Sequence, residues 1–127
     1  MCLIKATLVE KNAEKALRYK VLELSEGFLR SPFYGGYWEI GLEETAWIAE
    51  SRCYECGFHV CLTLDDAKKF RESLHRMNLK LPSGPCVYVI AEVEVTEKHS
   101  EGITFSYDIA IPGETWKKAK VVKVLEI

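Results

Sequence analysis

The sequence predicts an α+β fold, a mainly antiparallel sheet with one principal helix packed on a face, and three observations predict it. Residues 86–96 alternate with the period of two that marks a strand. From Thr63 onward, Leu64, Ala67, Phe70, Leu74 and Met77 recur at three- and four-residue steps, an apolar stripe one helix face wide. The chain has 127 residues, of which 48% are apolar. That suffices for a single domain over 1–127 with its own hydrophobic core.

Taken in order, residues 3–9 are apolar and β-branched enough for a first strand, and 11–16 form a short polar, helix-prone link. Residues 19–24 read as a second strand, closed by a turn at Ser25-Glu26-Gly27. Ser31-Pro32-Phe33-Tyr34-Gly35-Gly36 is the strongest break, because proline fixes φ and paired glycines admit positive φ. A short strand over 37–40 stops at Gly41, and 45–50 fits a strand or a helical turn equally well. Gly57 ends a loop, and 58–62 form a strand with His59 and Cys61 on one face and Phe58, Val60 and Leu62 on the other.

Thr63 then caps the helix, with Asp65 and Asp66 where the dipole favours negative charge. Lys68, Lys69, Arg71, Glu72 and Arg76 lie off the stripe as a solvated face, and Pro82 and Pro85 mark the loop that follows. Val87, Val89, Ala91, Val93 and Val95 line one face of the best strand. Residues 98–102 read as a turn, and Ile103, Phe105, Tyr107 and Ile109 as a further strand broken by Pro112-Gly113. A last strand covers 119–125, with Lys117, Lys118, Lys120 and Lys123 guarding an edge.

Composition narrows the function. Seventeen Lys and Arg against 19 Asp and Glu leave a net charge of -2, which argues against nucleic acid as a partner. No apolar run reaches the roughly 18 residues of a membrane span, and the first residues lack a secretory pattern, so no membrane partner and a cytoplasmic location are expected. Five cysteines, an odd count, read as reduced thiols rather than a disulfide framework. Cys53, Cys56, His59 and Cys61 supply four soft ligands, but within nine residues rather than as two separated pairs. Buried thiols are therefore the preferred reading, with no metal or other cofactor and with a small zinc-binding domain as an alternative.

His59 could serve as a general base near neutral pH, yet its chemically useful sequence neighbours are only cysteines and Glu55. Phe33, Tyr34, Tyr37 and Trp38 surround two glycines, and aromatic loop residues are over-represented at binding surfaces. Together these give an aromatic cleft between residues 31–38 and 57–61, with Tyr19, Phe33, Tyr34, Trp38, Phe58 and His59 as ligand-binding residues. The expected function is recognition without catalysis. The partner is an unidentified small molecule or protein, and a homodimer is compatible with the sequence.

Two resemblances bear on this. Tyr19-Lys20-Val21-Leu22, Ser31-Pro32-Phe33-Tyr34, Trp38-Glu39-Ile40-Gly41 and Gly57-Phe58-His59 with Asp66-Ala67 are similar to a pattern in small bacterial and phage proteins that often begin Met-Cys-Leu. That resemblance implies a mobile-DNA setting and supplies no catalytic residues. More faintly, the order Gly57-Phe58-His59, Ala67 and then 87–95 resembles ADP-ribosyltransferases. It implies an NAD-binding alternative in which Tyr54 or Phe58 stacks on nicotinamide, Tyr19 stands near, and Glu92 or Glu94 is the carboxylate.

Overall fold

The computed structural model describes residues 2–8, 14–31, 36–46, 57–78, 87–106 and 108–126. Its elements are β1 (Cys2–Leu8), β2 (Lys15–Ser25), β3 (Phe28–Arg30), β4 (Tyr37–Trp38), β5 (Glu43–Thr45), β6 (Phe58–Cys61), α1 (Leu64–Asn78), β7 (Val87–Ser106) and β8 (Ile109–Glu126). Strand exceeds helix more than fourfold. The α+β expectation is therefore corrected: the fold is nearly all-β, a large antiparallel sheet with a single described helix.

The correction has a local cause. Segments that read as several short strands separated by turns are two long bent strands. Residues 98–102 hold no turn. Instead Glu97 takes φ 61° and the register slips between Lys98 and Ser100, so β7 bends at a bulge and continues to Ser106. Pro112-Gly113 does not interrupt β8 either. Pro112 lies one residue beyond the last rung with β6, Cys61↔Gly113, so its missing N–H costs no pairing on that side. The chain instead reverses between Ser106 and Ile109, within the stretch expected to be one strand.

β7 pairs with β8, β8 with β6, β6 with β2, and β2 with β7, all antiparallel, so these four strands close a ring. Its narrowest seam is β2–β6, a single rung at Tyr19↔Cys61. β3 and β4 extend the sheet from the far half of β2, and β5 joins β8 at Lys118–Lys120. β8 is thus flanked on both sides there, so Lys117, Lys118 and Lys120 guard no edge. Lys123, by contrast, lies past β5, where β8 pairs only with β7 among the described residues. Lys120 faces Glu94, and Lys117 and Lys118 face Glu97.

The alternation of β7 sends Val89, Ala91, Val93 and Val95 into the ring, where they meet Leu22, Val60, Trp116, Ala119 and Val121. Trp116, at its centre, is fully buried. Burying side chains of this size contributes about 1.5–3 kcal/mol each. Outside the ring, Ala67, Phe70 and Leu74 of α1 cover Val21, Cys61, Tyr88, Ile90 and Ile111. The expected stripe is the one that packs, and the Thr63 hydroxyl accepts the N–H of Asp66 at 3.1 Å as the expected cap. Asp108, in the β7–β8 reversal, fastens this layer by accepting from Ser73 Oγ at 2.8 Å and Arg76 Nε at 2.7 Å. Among the described residues no helix is long and apolar enough to cross a membrane.

Candidate functional site

Of the six expected ligand-binding residues, Phe33 and Tyr34 lie outside the described residues. Trp38 and Phe58 do come together, with ring centroids 4.9 Å apart at 65°. They meet as packing, because Trp38 is only 7% exposed and belongs to the inner core. Its indole N–H donates to Ser31 Oγ at 2.7 Å, so the ring's polar edge is satisfied. Gly57 allows β6 to approach this closely. It holds φ +99°, and a Cβ there would stand 2.8 Å from the Trp116 carbonyl oxygen.

Between the two rings' strands lies a residue the sequence reading did not single out. Lys20 follows the inward side of β2, 7% exposed, and its ammonium donates to the His59 carbonyl at 2.8 Å. The ammonium also sits 5.9 Å from the Trp38 ring centre. Burial lowers its pKa to about 8, against a smaller opposing effect of Cys61. A cation between apolar alternating residues was legible as Arg18, Lys20 and Leu22 on one face, but nothing in sequence shows that this face is interior.

His59 presents its imidazole on the opposite side of β6 from Phe58 and Val60. Burial, then the charge of Lys20, lowers its pKa to about 4, so it is neutral at physiological pH. Its Nε2 is buried without a hydrogen-bond partner among the described residues. Cys61 shares that side, and burial pushes its thiol up to about 12, far from a thiolate. Cys53 and Cys56 lie outside the described residues, and among those described no three His, Cys, Asp or Glu side chains converge. Tyr19 is on the outward face of β2, packed with the helix layer and away from Lys20. Its cross-strand partner is Glu92, while Glu94 is paired with Lys15 at 3.3 Å and with Lys120. Tyr54 lies outside the described residues.

Charge is compensated toward the other end of β2. Glu114 accepts from Arg18 Nε at 2.7 Å and from Trp116 Nε1 at 3.1 Å, and meets Lys98 at 2.8 Å. Burial alone would raise the Glu114 pKa, but these bonds hold it below the ordinary carboxylate value. Such a satisfied network fixes geometry rather than offering a reactive group.

An open concavity lies elsewhere. Where the β6 seam ends, β3 and β4 spring from β2 and β5 joins β8, leaving a groove of about 1090 Å³ between them. Leu24, Phe28, Leu29, Tyr37, Trp38, Ile40, Leu42 and Val124 line it, with Glu26, Glu39 and Glu44. Phe28, Tyr37, Ile40 and Leu42 are 62%, 64%, 55% and 49% exposed, an unusual concentration of large apolar side chains in water. Phe28 and Tyr37 meet edge to face with centroids 6.1 Å apart. Of the expected site residues that are described, only Trp38 lines this groove. Its sequence signal was present, since Phe28 follows the Glu26-Gly27 turn and Ile40 and Leu42 flank Gly41 at φ +86°. Apolar residues beside turn glycines have little interior to enter. Compared with known proteins, the chain matches no family model, no curated protein and no solved structure.

Proposed function

We propose that the protein is a small recognition domain, of the bacterial mobile-DNA setting its sequence pattern resembles, and that the groove beside β4 is its binding site. The observation that carries this is the cluster of Phe28, Tyr37, Ile40 and Leu42, each about half exposed or more, around a walled concavity rather than scattered singly. Aromatic anchors in a partly formed groove are the usual source of binding energy at recognition surfaces. Among the described residues the groove lining carries no thiol, imidazole or amine, which favours binding over group transfer.

Nile red, an uncharged dye whose fluorescence rises in apolar surroundings, tests the site. Saturable binding is expected, weakened at least fivefold by the double substitution Tyr37→Ser with Ile40→Ser, with an unchanged melting temperature. Equal dye binding by this variant would remove the groove from consideration. A saturable rise in melting temperature with NAD would support the NAD-binding alternative instead.

A further inference from the structure

Resting on that reading of the groove, we infer that its occupant is an extended segment of a partner protein bearing lysine or arginine between apolar residues. Charge is the first argument. The groove's charged residues are Glu26, Glu39 and Glu44, with no cation in its lining among the described residues. Several carboxylates outside the groove do meet cations: Glu94 meets Lys15 and Lys120, Asp108 meets Arg76, and the buried Glu114 meets Arg18 and Lys98. A one-sign rim around apolar walls selects the opposite sign in what it binds.

Backbone geometry is the second argument. β4 ends the strand order, and its outer edge carries no strand among the described residues. On the facing side, residues 122–126 of β8 pair only with β7 among the described residues, while the Gly41 N–H donates to the Val121 carbonyl at 2.8 Å. Beside the groove, β4 and the end of β8 thus each present an edge that carries no strand among the described residues. An extended peptide satisfies such edges while its alternate side chains reach opposite walls. Size is the third. At about 1090 Å³ the space is at or beyond the upper end of small-ligand pockets, roughly 300–1,000 Å³.

The test is displacement of Nile red by three probes: a nine-residue capped peptide alternating Phe or Leu with Lys, the same peptide with Glu in place of Lys, and phenethylammonium. The lysine peptide should displace the dye at least tenfold more effectively than the glutamate peptide. That preference should shrink as salt rises from 50 to 500 mM, because rim charges are screened. The double substitution Glu39→Lys with Glu44→Lys should reverse the preference. Equal displacement by both peptides would overturn the charge argument. Displacement by phenethylammonium as effective as by the lysine peptide would overturn the extended occupant. Dye binding without displacement by either peptide would also overturn the inference while leaving the groove as a site. Absence of dye binding to the wild type would sink both.

Discussion

The Lys20 ammonium donates to the main-chain carbonyl of His59 at 2.8 Å, next to the only backbone rung that joins β2 to β6. Beyond Tyr19↔Cys61 the two strands part, and a side-chain donor takes over where a second rung would have stood. The ring is therefore closed at this seam by one backbone pairing and one buried cation. That cation has no carboxylate within ion-pair distance among the described residues, and Trp38 supplies the nearest electron-rich surface.

This arrangement has a definite pH signature. Lys20 ionises near 8 when folded against 10.5 in the open chain, so between those values the unfolded state holds more protons and stability rises with pH. The cost of the buried charge is full below pH 8 and gone above 10.5, on the order of 3 kcal/mol by the conversion per pKa unit. Cys61 acts oppositely, since its thiol ionises at about 12 when folded against 9.0. The informative quantity is therefore the difference between proteins. Lys20→Met should gain most, relative to wild type, in urea melts at pH 7, and that gain should fade by pH 10.5. A difference constant across this range would contradict the buried cation.

Acid should destabilise the fold in two stages. His59 is held neutral to about pH 4 when folded and protonates near 6.5 when unfolded, so stability falls as pH drops through that window. Asp108 ionises at about 2 rather than 3.8, first through the Arg76 hydrogen bond and then through Ser73. Its contribution is lost below about pH 4. His59→Gln should flatten the stability curve between 6.5 and 4, and Asp108→Asn only below that. Melting temperatures of all three proteins from pH 7 to 2 would show the separation, and identical profiles would refute the assignments.

Leu74 is fully buried beneath α1 against the outer face of the ring. Leu74→Ala should cost about 2–5 kcal/mol through lost transfer energy and the cavity left behind. An unchanged denaturation midpoint would mean that the helix does not pack as described.

Gly57→Ala should destabilise by about 1–3 kcal/mol, since the residue must keep positive φ while its Cβ meets the Trp116 carbonyl at 2.8 Å. The tight β6–β8 approach would loosen, and Phe58 would lose its seat against Trp38. Urea melts measure the loss, and a neutral substitution would contradict this approach.

Local features were readable because local residues encode them. Thr63, the acidic first turn and the stripe through Leu74 specify α1, and the valines of 89–95 specify one buried face. The fold class was misread because turn signals at Lys98–Gly102 and Pro112-Gly113 have another use. In a strongly curved ring, glycine, proline and a positive φ bend a strand without ending it. The ring itself depends on pairings such as Tyr19↔Glu92 and Phe58↔Trp116, far apart in the chain, which no short pattern displays. The site was displaced for the same reason. Trp38 and Phe58 are drawn together as expected, but closure turns their contact inward, and the open surface falls to Phe28, Tyr37, Ile40 and Leu42 on the far side of Trp38.

Amide chemical-shift mapping with the lysine-bearing peptide tests the groove most directly. Perturbations should concentrate on residues 24–29, 37–44 and 121–124, leaving α1 and residues 98–106 unchanged. Shifts centred on the helix face or on the β1–β7 edge, with the β4 region silent, would place binding elsewhere and contradict the account.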